Sequence, residues 1–183
     1  LAAGRLFEKQ DIHNEIPSVL IDFGSMSSDI TIHDKTVIVT GTILSGGDTF
    51  TEQIAKKLKI SHKEAHVVKA KYGLSKSKKQ KEIEQAIKPS LENIVKEIRR
   101  MIRYYEERSA SKNKIGQVIT MGGGANMPGL SEHLTEALRM PVRLCDPWDS
   151  LDFSKLQPPS SVEKSMYVTV GGLSLIQPKE LFT

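Results

Sequence analysis

Several things are scarce in this sequence, and each scarcity removes a class of protein. Cysteine occurs once in 183 residues, at Cys145. That rules out an internal disulfide framework and any multi-cysteine zinc site, and it suits a reducing compartment. Aromatic residues make up 5%, with a single tryptophan, Trp148. No window approaches the roughly 20 uncharged apolar residues of a membrane-spanning helix. A secretory leader is not expected either, because Arg5, Glu8, Lys9 and Asp11 interrupt the N-terminus before an apolar run develops. Neither sign of charge dominates: 26 Lys and Arg stand against 22 Asp and Glu, a net of +4. What remains is 38% hydrophobic and 26% charged, the composition of an ordinary globular domain with room for one core and a small subdomain.

The positive charge is unevenly placed. Much of it lies between Lys56 and Lys88 and is densest at Lys76, Lys78, Lys79 and Lys81. The run lacks interleaved aromatics, arginine forks and a recognition-helix pattern, so it reads as a solvated surface and no nucleic-acid partner is expected. The chain opens on Leu1 rather than Met, and Leu1 to Glu15 carries little pattern. Residues 1–17 read as a connecting segment, and a longer parent protein is expected.

Hydrophobic periodicity orders the rest. Val19 to Phe23 is a short apolar run ending in Gly24, the mark of a buried strand. Ser28 to His33 alternates, Asp34-Lys35 is a turn, and Val37 to Leu44 closes an antiparallel meander. Gly46-Gly47 breaks it, and Thr49 with Glu52 predicts a capping box for a helix through Leu58. Ser61 with Glu64 predicts a second box, for a helix that stops at Gly73. Lys76 to Gln85 reads as loop or short helix. After Pro89 comes the clearest helix, with Leu91, Ile94, Val95, Ile98, Met101, Ile102 and Tyr105 at three-four spacing. A strand at Ile115 to Met121, a helix from Leu130 to about Arg139 and a strand at Pro141 to Cys145 follow. A long loop then runs from Asp146 to Pro159, and Ser160 with Glu163 predicts a last capped helix reaching Leu175. This order describes an α/β layered domain with helices inserted in its middle.

Two glycine loops carry the chemistry. The first, Asp22-Phe23-Gly24-Ser25-Met26-Ser27-Ser28-Asp29, joins two strands. Gly24 lets backbone N–H groups converge on an anion, the hydroxyls of Ser25, Ser27 and Ser28 add donors for phosphate, and Asp22 suits a Mg²⁺ held through water. An ordinary glycine hairpin has the same local pattern. The second, Gly122-Gly123-Gly124-Ala125-Asn126-Met127-Pro128-Gly129, runs from a strand into a helix. It permits close approach of a flat ligand, and the helix start beyond it favours negative charge. A tight strand-to-helix turn is the alternative, and no Walker lysine follows.

Taken together, the Asp-x-Gly hairpin, the Gly-Gly-Asp before a helix and the Gly-Gly-Gly loop resemble the second half of the actin-like ATPase superfamily. The resemblance implies an actin-like (ribonuclease H-like) subdomain with a mixed sheet flanked by helices. Residues 18–58 and 89–183 would form subdomain IIA, and 59–88 the core of a small inserted subdomain IIB. Asp22 to Asp29 resembles the second phosphate loop of that superfamily, and Gly122 to Gly124 its adenosine loop, followed by Met127-Pro128-Gly129-Leu130 in place of Leu-Pro-Gly-Leu. Ala65, Lys69 and Gly73 resemble its nucleotide-bordering helix, with His66 standing where that pattern has glutamate. Val170-Gly171-Gly172-Leu173 resembles a small-residue helix near the interdomain hinge.

Within the superfamily the sequence is similar to the type IV pilus assembly protein PilM family. Gly46 to Ala55, Asp146-Pro147-Trp148 and Tyr167 to Leu175 carry that likeness, which runs from Ser18 onward. FtsA, a cell-division relative, shares both loops. It usually ends in an amphipathic helix, which Gln177 to Thr183 does not resemble. The resemblance implies ATP or ADP with Mg²⁺ as ligands. Asp22, Gly24, Ser25, Met26, Ser27 and Ser28 would stand on the phosphate side, Gly122, Gly123, Gly124 and Ala125 on the adenosine side, and Lys69 near the ribose. It also implies a PilN-like inner-membrane partner received by an absent N-terminal half, other pilus platform proteins, self-association, and a cytoplasmic place peripheral to the inner membrane. At most a slow ATPase is expected, and only in a complete protein, since phosphoryl transfer depends on positioning between both halves. A sugar-kinase-like phosphotransferase half and a scaffold without nucleotide are the readings of another class.

Three remaining features are weaker. His62 and His66 stand at i and i+4 on a helix, a zinc spacing, but Lys63 replaces the glutamate of a zincin and no third ligand is evident. Cys145 has no base pattern beside it and reads as a buried thiol. Trp148 reads either as an interface anchor or as cover for a core edge.

Overall fold

The computed structural model describes residues 6, 16–109, 113–155, 157 and 161–176. One five-stranded sheet runs, from edge to edge, through Thr36–Ile43, Ser28–Asp34, Ser18–Phe23, Gln117–Met121 and Val142–Leu144. β1 (Ser18–Phe23), β2 (Ser28–Asp34) and β3 (Thr36–Ile43) form the expected antiparallel meander. β4 (Gln117–Met121) joins β1 in parallel, with Asp22 opposite Met121, and β5 (Val142–Leu144) joins β4 in parallel. The period-two alternation of the strands sorts their side chains between two layers. Val19, Ile21, Phe23, Ile30, Ile32 and Val118 enter the larger core, while Leu20, Ile119 and Met121 enter a smaller one with Leu6, Cys145 and Val168. The sheet is thus covered on both faces.

Four helices build the larger core: α1 (Gly47–Leu58), α2 (His62–Tyr72), α3 (Gln80–Arg108) and α4 (Leu130–Leu138). The Ser61–Glu64 capping box of α2 is present. The Glu64 N–H donates to Ser61 Oγ at 3.3 Å, and the Ser61 N–H donates to Glu64 Oε2 at 2.9 Å. The start of α1 differs from expectation. The helix begins at Gly47 with Gly46 as its cap, and the Thr49 hydroxyl accepts the Gly46 N–H at 3.4 Å instead of itself capping the helix. The described C-terminal part of the domain is less regular. A 3₁₀ segment, Ser161–Tyr167, precedes a short α5, Val168–Ser174. The Ser160–Glu163 box lies outside the described residues.

The largest difference is α3. Pro89 does not open this helix; it sits inside one continuous 29-residue helix that also absorbs Gln80 to Lys88. A helix-interior proline costs about 3 kcal/mol. Against it stand Ile83 and Ile87, both fully buried, each contributing about 1.5–3 kcal/mol. They extend the stripe Leu91, Ile94, Ile98, Met101 and Tyr105 backwards at the same spacing. Pro89 itself is exposed, so water reaches the carbonyl it leaves without a donor.

α2 and the start of α4 are locked together. The Leu74 N–H donates to the Pro128 carbonyl at 2.7 Å. Gly73 and Gly129 both have left-handed φ, +46° and +79°, and a Cβ on either would stand 2.3 Å from Pro128 O or 2.6 Å from Leu74 C. Only glycine permits this crossing. It fixes α2 over the loop that follows β4.

Candidate functional site

β1 and β4 are parallel neighbours, so their carboxyl ends leave the same edge of the sheet. The hairpin after β1 and the glycine loop after β4 therefore meet, as ligand-binding loops do at such edges. A cleft of about 630 Å³ lies between them and α2. Its lining includes Gly24 and Ser25 from the hairpin, Gly47 and Asp48 from α1, and His66, Lys69 and Ala70 from α2. Gly123, Gly124, Asn126 and Met127 come from the glycine loop, with Phe23 and Met166 completing the apolar part.

The hairpin is fastened to α1. The Gly47 and Asp48 N–H groups donate to the carbonyls of Gly24 and Ser25, both at 2.9 Å, and Ser25 Oγ donates to Asp48 Oδ2 at 2.5 Å. A Cβ on Gly46 would lie 2.4 Å from Ser25 O, which explains the glycine there. Lys69 reaches across from α2 and donates to the Gly47 carbonyl at 2.6 Å. Desolvation in the cleft lowers its pKa below the ordinary lysine value, against the opposing pull of Asp48.

The three glycines of the second loop do different work. Gly122 has φ +83°, and a Cβ there would fall 2.3 Å from Asp22 Oδ1 and 2.7 Å from Phe23 O. A Cβ on Gly124 would meet Phe23 Cβ at 2.9 Å. Gly123 is open: the nearest atom to its Cβ position is Met166 Cγ at 3.8 Å. Two of the glycines thus let the loop rest on the end of β1, and the third leaves bare backbone facing the cleft. Ser165, buried at 1%, holds the loop from outside. Its carbonyl accepts the Gly122 N–H at 2.9 Å, and its hydroxyl lies 3.2 Å from Gly122 O and 3.0 Å from Asn126 Oδ1.

Of the residues singled out in the sequence, Gly24, Ser25, Lys69, Gly123 and Gly124 line the cleft together, and Asp22, Met26, Ser27, Ser28, Gly122 and Ala125 stand outside its lining. Ser28 is fully buried and donates its hydroxyl to Ser45 O at 2.7 Å. Met26 is 81% exposed and Ala125 is buried. Asp22 sits at the end of β1 against Gly122 and opposite Asp29. Burial first, and the Asp29 charge second, raise its pKa above the ordinary carboxylate value. Asp48, Asn126, Met166 and Ser165 were not assigned from the sequence. Asp48 belongs to the Gly-Gly-Asp motif, but its contact with Ser25 crosses 23 residues.

The other candidates resolve simply. Cys145 is buried, and desolvation pushes its thiol up to about 12, which keeps it unreactive. Trp148 packs edge-on against Phe153 at 5.3 Å and lies 5.8 Å from Tyr167. His62 and His66 are exposed, and among the described residues no group of three or more His, Cys, Asp or Glu is gathered as a metal site. Among those residues, too, no helix is long and apolar enough to cross a membrane.

Comparison with known proteins gives the fold its family. No curated protein matches the chain. Among solved structures, a PilM-PilN type IV pilus biogenesis complex is similar at 22% identity and TM-score 0.73, over 97% of this chain and 52% of that one. The ethanolamine utilization protein EutJ from Carboxydothermus hydrogenoformans is similar at 19% identity and TM-score 0.65, over 96% and 52%. MreB5 of Spiroplasma citri bound to AMPPNP is similar at 17% identity and TM-score 0.69, over 98% and 59%. The fold is therefore actin-like, and the chain spans little more than half the length of these structures. The family model described as type IV pilus assembly protein PilM matches residues 8–177, and the chain belongs to that family.

Proposed function

We propose that this chain is the nucleotide-binding half of a protein that assembles the cytoplasmic and inner-membrane platform of a type IV pilus or related secretion machine. ATP or ADP with Mg²⁺ would be its ligands. The observation that carries the reading is the cleft: two glycine loops from adjacent parallel strands converge on one recess of about 630 Å³, within the usual range of small-molecule sites.

The donor set fits a nucleotide escorted by a cation. Gly123 offers backbone open to a flat base, beside Met127 and Met166. Lys69 supplies a half-desolvated positive charge, and Ser25 a hydroxyl. Asp48, and Asp22 with Asp29 opposite it, set carboxylates around the hairpin. These would repel a bare polyphosphate, and Mg²⁺ would relieve that repulsion. In this reading Asp22 holds Mg²⁺ through water, Gly24 and Ser25 of the hairpin face the phosphates, Gly123 and Gly124 the adenosine, and Lys69 the ribose side. The N–H groups of Gly47 and Asp48 already serve the hairpin carbonyls, so phosphate contact falls to the hairpin itself. Residues 59–88 would form the core of the inserted subdomain, with α3 running unbroken out of it past Pro89.

The proposal extends to partners on the strength of the likeness to the PilM-PilN complex. A PilN-like inner-membrane protein, other platform proteins and a second copy of the chain are the expected ones, with the protein peripheral to the inner membrane. ATP then acts as a slow switch that sets affinity for these partners, and any hydrolysis belongs to a complete two-half protein. The test is amide chemical-shift mapping of this chain with millimolar Mg-ATP, a regime that detects weak binding. Shifts centred on Gly24, Ser25, Lys69, Gly123 and Gly124 are expected. Saturating shifts elsewhere, or none at these amides, would contradict the assignment.

A further inference from the structure

One lobe of the molecule carries a large excess of positive charge. It comprises the end of α1, all of α2, the turn that follows and the start of α3. Between Lys56 and Lys88, eleven lysines stand against three glutamates, a net of +8, so the remaining 150 residues carry −4. Ten of the eleven lysines are exposed, and Lys69 alone turns into the cleft. Of those ten, only Lys88 has a carboxylate partner among the described residues, Glu92 at 3.8 Å. On α2, Lys63, Val67 and Lys71 recur at every fourth residue and form one stripe. Its centre, Val67, is 57% exposed.

The kind of cation narrows the partner. The segment contains no arginine, and its one aromatic residue is Tyr72, half-buried with the Lys71 ammonium 5.4 Å from its ring centre. Bidentate phosphate forks and stacking platforms, on which nucleic-acid recognition rests, are therefore missing. The lysines are point charges on flexible stems, spread over four segments rather than aligned on one groove-entering helix. That arrangement matches a broad field of mobile monovalent phosphates, and an exposed valine among the charges suits the apolar boundary beneath them. We propose that this lobe is an electrostatic docking surface for an anionic phospholipid membrane. The inference is independent of the nucleotide reading.

Co-sedimentation of the chain with phosphatidylcholine vesicles containing about 30% phosphatidylglycerol, against pure phosphatidylcholine vesicles, tests it. Binding to the anionic vesicles alone is expected, and it should vanish as NaCl rises from about 0.1 M to about 1 M. The quadruple variant K63E/K71E/K78E/K79E should lose binding by at least about tenfold. The charge-matched control K35E/K96E/K114E/K155E, outside the lobe, should stay within about twofold, because at about 0.15 M salt charges beyond roughly 8 Å are screened. Thermal melts check that both fold, and glutamine versions of the same four lobe positions give a gentler repeat. Three results would each overturn the proposal: no excess binding to anionic vesicles, equal loss in the control, or tighter binding to a DNA duplex than to vesicles at equal phosphate concentration. The last would assign the lobe to nucleic acid instead.

Discussion

Alanine at Gly122 and at Gly123 should have opposite consequences, although the two glycines are adjacent and look interchangeable in sequence. At Gly122 the backbone has φ +83° and ψ 169°, a region held almost only by glycine, and an L side chain there costs about 1–3 kcal/mol. The added Cβ would also press on Asp22 Oδ1 at 2.3 Å and on the Phe23 carbonyl at 2.7 Å. One of those neighbours is backbone at the end of a central strand, so relief requires moving the loop, at about 1–3 kcal/mol. Together these give a loss of about 2–6 kcal/mol, or a Tm lowered by about 5–15 °C in a chain of this size. At Gly123 no strained φ is present and the nearest atom is 3.8 Å away, so alanine should leave Tm unchanged or raise it slightly. The assay is thermal denaturation by circular dichroism at neutral pH. Equal losses at both positions would refute the division of this loop into a packing glycine and a cleft glycine.

Two further outcomes follow from individual side chains. Asp22 has a folded-state pKa above its ordinary value, so its contribution to stability is present in acid and is lost as pH rises through the folded-state pKa. Asp22→Asn should therefore raise Tm at pH 7, and the gain should shrink as pH falls toward the ordinary carboxylate value of 3.8; a gain independent of pH would contradict the desolvation account. Pro89→Ala restores a donor inside a helix whose proline lies on the exposed face, and should stabilise the protein by about 1–3 kcal/mol. An unchanged or lower Tm would show that Pro89 shapes α3 in a way its exposure does not reveal.

What the residues disclosed in advance depended on how local the deciding contact is. The Ser61–Glu64 box and the stop at Gly73 were legible because three or four neighbouring residues settle them. The meander and the two glycine loops were legible for the same reason, as breaks between short apolar runs. The start of α3 is hidden in the sequence because the proline rule is local, whereas the burial of Ile83 and Ile87 is a property of the assembled core. Gly73 and Met127-Pro128-Gly129 each stand out in the sequence, but nothing there says that their backbones interlock. The unequal roles of Gly122, Gly123 and Gly124 are set by Phe23 and Asp22 across the sheet. Ser165 gave no signal at all: one serine among many becomes a clamp only because a 3₁₀ segment lies against the glycine loop.

The central claim is that the cleft between the two glycine loops holds Mg-nucleotide, and calorimetric titration of Mg-ATP into a two-half protein containing this chain tests it most directly. The account predicts saturable one-site binding that is lost in a Gly123→Val variant shown by its thermal melt to be folded. Equal heat in wild type and variant would place the nucleotide elsewhere. No heat in either, from a protein shown to be folded, would leave the loops as inherited architecture and the claim wrong.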